Sequence, residues 1–421
     1  MKIAVFGLGR LGLPWALMAG SAGHDVVGVD LRRALVTAVS ARRTDTTEPG
    51  VANALADPAN TLSATTDPAE ALSGAEATFV AVSTPSRADG AFDPRSVLAV
   101  VEQVVKHADE LAYPHVLVVG STLTPGTMAG PVAELVAAAT RPIHLAHVPE
   151  FHALGSVLEN LRRPSLVIVG AADPAAGQAA AELVTSLHES RPAVRHLGLT
   201  EAELAKLVLN GLLTLRISYA NFIGDLATAF DDVDPRTVLA AIQDDPRVGV
   251  GFLRPGPPFG GPCFPRDLPA LRHSARVAGV PEDLPAAAES VNAHAYVRLI
   301  EAATRGLRSD DPVGVAGLAF KSGVRVVDGS PGVELVRRLT DGGWPVVAFD
   351  RDVKVSLPAG ARWAADATDL LENCRRVLLL DASGPIRHEV LASGRPGGAV
   401  IVDAWFGGQR YGILDGPSET F

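Results

Sequence analysis

Six residues near the N-terminus restrict this chain more than any others. Gly7-Leu8-Gly9-Arg10-Leu11-Gly12 follows an apolar run, Ile3–Phe6, that reads as a strand, and opens a helix-like stretch, Leu11–Ala22. A second apolar run, Val26–Val29, then ends in an acid, Asp30. A lone G-x-G-x-x-G is a weak signal, but strand, glycine turn, helix, strand and terminal acid in this order form a strong one. The glycines let backbone approach a pyrophosphate at a helix N-terminus, and the acid takes the ribose hydroxyls. An acid repels a 2′-phosphate, so the pattern favours NAD, with Arg32 and Arg33 leaving NADP open. Gly7, Gly9, Arg10, Leu11, Gly12, Asp30 and Arg32 are the expected cofactor residues.

The alternation continues. Further strand candidates are Thr78–Val82, Val116–Val119, His144–Val148, Leu166–Val169 and Val194–His196, with helix-like stretches at Pro94–Ala108, Pro125–Ala139 and Pro174–Leu187. Such alternation predicts a parallel sheet covered on both faces. From Thr200 to about Phe230 the chain runs without proline, rich in Leu, Ala and Ile. Thr200 and Glu203 fit a capping box at its start. Helix follows at Pro235–Gln243, Pro265–Ala278 and Leu284–Gly306, with a Gly/Pro-rich segment at Gly249–Pro265. Strands return at Gly314–Ala319, Val346–Phe349, Val377–Leu380 and Val400–Val402. A weak internal echo pairs the two halves, since Asp350 ends a strand as Asp30 does. The expected fold is α/β, with two Rossmann-like doubly wound parallel-sheet domains, 1–198 and 305–421, joined by a helical segment, 199–304.

Composition narrows the function classes. The net charge of −10 argues against nucleic acid as a main partner. No uninterrupted apolar run reaches the roughly 18 residues of a membrane helix, and the N-terminus reads as a strand without a signal peptide's basic region. Two cysteines, Cys263 and Cys374, make a disulfide framework implausible and suggest a reducing, cytoplasmic setting. Five of the 37 basic side chains are lysines, so a lysine persists where a compact ammonium is needed.

Three further patterns carry chemistry. Glu203, Lys206, Asn210, Thr214, Ser218, Asn221 and Asp225 recur at helical spacing and share one face among apolar neighbours. Lys206 and Asn210 lie one turn apart and suit one shared oxygen, although a solvated helix face has the same spacing. Cys263 follows a rigid Gly/Pro loop beside a helix start, a setting that lowers a thiol pKa; Asp267 lies one turn on. A buried inert thiol is the bland alternative there, and it is the reading for Cys374. Finally, Ser83-Thr84-Pro85, Ser121-Thr122 and Val148-Pro149-Glu150-Phe151 end three successive strands, and with the glycine turn they describe a ligand crevice. No metal site is expected: His144 and His147 alternate across a strand and His152 lies in the turn beyond.

Together these residues resemble the UDP-glucose/GDP-mannose dehydrogenase family, in order, over nearly the whole chain. The matching segments are the NAD fingerprint, the three strand ends, Glu203–Asn210, Asp245–Leu268 and Gly317–Gly323 with Ser330-Pro331. The resemblance implies oxidation of a nucleotide sugar's primary alcohol to the acid, with NAD, through a thiohemiacetal and thioester on Cys263. It implies that Lys206 and Asn210 stabilise the oxyanion, that Asp267 assists through water, and that Glu150 with Thr122 handles the hydrolytic water. It further implies substrate contacts from Phe151, Leu154, Lys206, Asn210, Phe252, Leu253, Gly256, Gly260, Phe320 and Lys321. Arg247 would reach the substrate from a neighbouring subunit, hence a homodimer.

The chain departs from the family pattern at Ala153 and Leu154, which stand for Arg and Glu, and at Asp328, which stands for Arg. Phe222 replaces a Glu, Arg266 a Lys, and Gly408-Gln409 the family's Gly-Arg, with Arg410 beside it. The catalytic positions are kept and their periphery altered, so reaction type is better indicated than substrate. The rival readings are a single-step alcohol or hydroxy-acid dehydrogenase acting on an unusual nucleoside or sugar, and a non-catalytic nucleotide-sugar-binding protein.

Overall fold

The computed structural model describes residues 1–394 and 398–405. By internal contacts it divides into two units, Met1–Val208 and Leu209–Phe421. The division falls inside one long helix.

In the first unit, eight strands form one sheet: β1 (Lys2–Phe6), β2 (Asp25–Val29), β3 (Ser63–Thr65), β4 (Ala77–Val80), β5 (His115–Val119), β6 (Ile143–His147), β7 (Leu166–Ala171) and β8 (Ala193–Leu197), ordered 3-2-1-4-5-6-7-8. The runs of Val, Ile, Leu and Ala in the six inner strands are mostly buried, while the edge strands β3 and β8 are not; two apolar cores form there, one around Trp15, Leu17 and Phe79, the other around Phe6, Val101 and Leu117. Continuous apolar strands require such double coverage. All neighbours are parallel except β6 and β7, which pair antiparallel through Ala146 and His147. Strand composition carries no direction, so the sequence could not show that reversal. The expected helix over Pro125–Ala139 is broken into Met128–Val132 and Ala133–Ala137 at Gly130 (φ −96°, ψ −108°), with Pro131 inside. Proline removes a helical donor and forces such a break.

In the second unit, β9 (Val313–Ala316), β10 (Val346–Phe349), β11 (Ala361–Trp363), β12 (Arg376–Leu379) and β13 (Val400–Asp403) form an all-parallel sheet ordered 11-10-9-12-13. The internal echo is structural. Gly7 (φ +91°) and Gly317 (φ +98°) each end a first strand, and each donates its N–H to the last residue of the next strand, Val29 or Phe349. Asp30 accepts from the Leu8 N–H, and Asp350 from the N–H groups of Leu318 and Ala319.

Five helices bear on the site: α1 (Gly12–Ser21), α2 (Leu199–Ala227), α3 (Phe264–Val277), α4 (Asp283–Thr304) and α5 (Pro331–Asp341). α2 begins at Leu199, one residue before the expected cap. Its N-terminal reach-back comes from Glu201, which accepts from the Gly198 N–H at 2.6 Å. Glu203 is engaged elsewhere, so the capping box over Thr200 and Glu203 does not form. By length and composition α2 could cross a membrane, unlike any uninterrupted apolar run in the sequence; 44% of its most apolar window is buried in the protein. A core helix passes the same test.

Candidate active site

The glycine turn of the first unit is shaped by contacts that only glycine permits. A Cβ on Gly12 would sit 1.8 Å from the Gly7 carbonyl oxygen, and one on Gly7 would sit 2.6 Å from that of Ala81. A Cβ on Gly9 would meet nothing within 4 Å. Gly9 therefore faces open space, which leaves its backbone accessible to close approach. α1 opens after Leu11 without a side-chain cap; the Leu13 N–H is taken by the Gly9 carbonyl at 3.1 Å and Pro14 carries none, so the helix start attracts an anion through the positive end of its dipole. Asp30, 9% exposed, accepts from the N–H of Leu8 (3.0 Å) and from the N–H and Nε of Arg32 (2.9 and 3.0 Å). Burial works to raise its pKa, but these bonds outweigh burial and hold the carboxyl below its ordinary range. An anion-receptive helix start, an open glycine and an ionised acid fit a dinucleotide. Arg10 is exposed and Leu11 half-buried beside this turn.

The strand ends are tied to one another. Ser121 Oγ donates to the Val82 carbonyl at 2.7 Å, and Thr84 Oγ1 to the Thr122 carbonyl at 2.8 Å. Ser83 and Pro85 are exposed and Thr122 half-buried. Glu203, fully buried, accepts from the N–H groups of Gly126 (2.7 Å) and Met128 (2.8 Å), so α2 holds the loop that follows Ser121-Thr122. Burial pushes its carboxyl up to about 7, against those backbone bonds.

Glu150, 8% exposed, is gripped at both oxygens. Trp15 Nε1 of α1 donates to Oε1 at 2.6 Å, and His152 Nε2 contacts Oε2 closely. Phe151 carries the Lys206 ammonium 5.4 Å from its ring centroid. Leu154 packs against the core that contains Trp15.

On α2 the polar face is the buried one. Glu203, Lys206, Asn210, Thr214, Ser218 and Asn221 are each at most 8% exposed, and the helix's Leu212, Tyr219, Phe222 and Leu226 are about half exposed. A buried ammonium and amide cost several kcal/mol unless partnered, so the reading of this seam as a solvated face is overturned. Lys206 and Asn210 are one turn apart on this continuous helix.

In the second unit, Asn210 Nδ2 donates to Asp267 Oδ2 in a close contact. Asp267 lies in the first turn of α3 and is 4% exposed. Cys263 is the N-cap residue of α3, and its carbonyl accepts the Asp267 N–H at 2.9 Å. Its thiol is exposed, whereas Cys374 is buried, with its pKa pushed up to about 12 by burial. The reading of Cys263 as a buried inert thiol therefore fails.

The loop before Cys263 is glycine-rich for close approach. A Cβ on Gly260 would lie 2.3 Å from the Gly329 carbonyl oxygen, and one on Gly261 2.7 Å from the Phe320 ring. Asn292 of α4 clamps Phe259 at both its N–H (2.6 Å) and its carbonyl (3.1 Å). Gly256 accepts Arg298 on its carbonyl, donates its N–H to Asn221 and has the Trp405 ring where a Cβ would stand. Phe252 is half exposed at φ +60°, Leu253 is buried against Ala220 and Leu239, and Arg247 lies at the surface paired with Asp245. Lys321 is exposed and Phe320 half-buried in the loop after β9. Gly408, Gln409 and Arg410 lie outside the described residues. Among the described residues no cluster of His, Cys, Asp and Glu is arranged to hold a metal.

Sequence reasoning missed Trp15 and His152 as partners of Glu150, Glu203 as the loop anchor, and Asn292. Only His152, two residues after Glu150, carried a local signal.

Two sequence profiles match the chain: the UDP-glucose/GDP-mannose dehydrogenase family NAD-binding domain over residues 1–188, and the same family's central domain over 200–294. UDP-glucose 6-dehydrogenase of Haloferax volcanii is 31% identical over 90% of each chain. GDP-mannose 6-dehydrogenase of Azotobacter vinelandii is 29% identical over 86% of this chain and 84% of that one. The structure of a UDP-glucose dehydrogenase from Pyrobaculum islandicum superposes with a TM-score of 0.86 at 32% identity, covering 97% of this chain and 95% of that one. With the glycine turn, the ionised Asp30 and the exposed Cys263 already in place, these matches mean that the chain belongs to the UDP-glucose/GDP-mannose dehydrogenase family, which uses NAD and acts on nucleotide sugars.

Proposed function

We propose that this protein oxidises the primary alcohol of a UDP-glucose-like nucleotide sugar to the carboxylate, in two oxidations joined by a covalent bond to Cys263. The observation that carries the reading is Cys263 itself: an exposed thiol at the start of α3, one turn before an Asp267 bonded to Asn210. The glycine turn and Asp30 would hold NAD, which would supply the hydride acceptor for both oxidations.

The chain's own residues do the rest. Cys263 Sγ adds to the aldehyde carbon and gives a thiohemiacetal, which releases hydride more readily than the hydrate. Lys206 and Asn210 donate to the substrate oxygen as charge gathers there, and oxyanion donors of this kind are worth about 3 kcal/mol each. Asp267 fixes the Asn210 amide and moves a proton through water. Glu150 and Thr122 handle the water that cleaves the thioester. Phe151, Leu154, Phe252, Leu253, Gly256, Gly260, Phe320 and Lys321 frame the substrate in this reading, and Arg247 comes from a second subunit. The half-buried Leu154 and the buried Leu253 would serve by shaping backbone.

The half-exposed Leu212, Tyr219, Phe222 and Leu226 of α2 support a homodimer, because an apolar helix face of this kind is unstable in water. In this reading the chain has three domains divided at 198 and 304; the first division falls in the gap between the two family matches, which end at 188 and resume at 200, and the second lies beyond the end of the later match at 294. A reducing cytoplasm suits a thiol that is exposed at the surface, as that of Cys263 is.

A panel of nucleotide sugars with NAD, run on the wild type and Cys263→Ala, tests the reading. The wild type should form acid from at least one sugar, and Cys263→Ala should form none. Full acid turnover by Cys263→Ala would exclude the thioester route.

A further inference from the structure

The loop that delivers Cys263 has little with which to hold itself. Of the eleven residues from Pro255 to Pro265, five are prolines without an N–H and three are glycines without a side chain. Phe259, Cys263 and Phe264 alone carry both. We infer that Asn292 of α4 is a positioning residue for Cys263: it fixes Phe259, whose ring bears on that of Phe264, and so sets where the sulfur meets the substrate's aldehyde carbon. This rests on the function proposed above.

The clamp is two-sided. Asn292 Oδ1 accepts the Phe259 N–H at 2.6 Å, and Asn292 Nδ2 donates to the Phe259 carbonyl at 3.1 Å. A carboxamide offers an acceptor and a donor side by side, which an ionised carboxylate cannot. Both polar atoms of the side chain are thus spent on one residue of the loop. The Phe259 ring is buried and meets the Phe264 ring edge to face, with centroids 6.1 Å apart. Phe264 follows Cys263 directly and opens α3. The two rings therefore bracket Cys263 along the chain. Between them the Gly261 N–H is taken by the Gly329 carbonyl at 2.9 Å.

Packing alone does not fix this pair. A cavity of about 450 Å³ opens beside it, lined in part by Phe259, Phe264, Leu268, Asn292 and Tyr296. The rings have room to shift there, so the directional bonds from Asn292 decide where they stand. Those bonds rest on a firm base. Ser218 Oγ of α2 donates to the Ala288 carbonyl of α4 at 3.0 Å, and Arg298 of α4 pairs with Asp225 of α2. Phe259, Leu268 and Ala288 form an apolar cluster, with Phe264 packed against it. Asn210 holds Asp267, one turn beyond Cys263. Cys263 is thus fixed from both sides, through Phe259 before it and Asp267 after it. Every residue in this chain of contacts belongs to the second unit.

The step that depends on this placement is capture of the aldehyde. Cys263 Sγ forms a bond to the aldehyde carbon, the carbonyl π pair moves to the oxygen, and the thiol proton ends on that oxygen. The thiohemiacetal forms without oxidation or reduction. The first oxidation needs no sulfur, so a displaced sulfur leaves it intact and lets the aldehyde escape before the second.

Asn292→Leu, assayed as the full chain with NAD and the sugar that the wild type turns over, removes both bonds at nearly constant size. It should lower kcat about 10–100-fold, as a misplaced reacting atom does, and leave KM for NAD within about twofold. The NADH yield per sugar should fall from two toward one, with the missing product trapped as an aldehyde by hydroxylamine. The melting temperature should drop by only about 2–4 °C. Phe264→Leu keeps the clamp and removes the ring that receives it; it should leak aldehyde in the same way, and it carries the test if Asn292→Leu fails to fold. Variants that still make two NADH per sugar would overturn the inference, whether kcat is unchanged or merely lowered with the folded fraction, and would leave the proposed function standing. A wild type that forms no acid from any nucleotide sugar would overturn the proposed function itself.

Discussion

Asn210 and Asp267, 57 residues apart in sequence, are bonded side chain to side chain, so the middle of α2 is tied to the first turn of the helix that Cys263 opens. In the proposed mechanism the bond would make them act as one unit. Asn210→Ala and Asp267→Ala should each lower kcat by about 10²–10³-fold, as loss of an oxyanion donor does. The double variant should be little worse than either, since neighbours that act together are not additive. Steady-state kinetics on the three variants checks this; a double loss equal to the product of the single losses would contradict it.

Two glycines of the fingerprint should part company. Gly12→Ala drives a methyl into the Gly7 carbonyl oxygen and should destabilise the fold by about 3 kcal/mol or more. Gly9→Ala meets open space in the chain, so its melting temperature should hold within about 1 °C, while NAD affinity falls at least tenfold because the pyrophosphate must approach there. Thermal melting and NAD titration of both variants decide it. Equal melting losses would refute the contrast.

Glu203 makes stability depend on pH in an unusual direction. Its carboxyl titrates near 7 in the folded chain and near 4.5 when exposed to water in the unfolded one, so between these values the folded state holds more protons. Stability conferred by that proton is therefore present below about pH 4.5 and is lost as pH rises toward 7, in total on the order of 3 kcal/mol. Urea unfolding of the wild type and Glu203→Gln at pH 5, 6, 7 and 8 should show this falling contribution in the wild type and its absence in the variant.

The legible parts of the structure were those carried by local patterns. The turn at Gly7–Gly12 with Asp30, its echo at Gly317 with Asp350, and the strand-end residues are contiguous motifs whose geometry follows from a few glycines. The polar seam of α2 was legible as a period, but a period does not tell which face is buried. Packing decides that, and it buries Lys206 and Asn210 while leaving Phe222 half exposed. Glu203 was misread as a cap because the loop at Gly126–Met128, 75 or more residues away, offers it better donors. The pairing of Trp15 with Glu150 spans 135 residues and left no trace in either neighbourhood.

The outward apolar face of α2 predicts an oligomer. Phe222→Asp places a charge where the second copy would pack and should raise the dimer dissociation constant at least 100-fold, without loss of fold, because the side chain is already half exposed. Sedimentation velocity across a concentration series reads the result, and a monomeric wild type would remove the dimer.

The NADH yield per molecule of nucleotide sugar consumed by the wild type tests the central claim most directly. Four electrons leave a primary alcohol on its way to a carboxylate, so the yield should be two, with an acid as the product. A yield of one, with the substrate left as a carbonyl compound, would contradict the account.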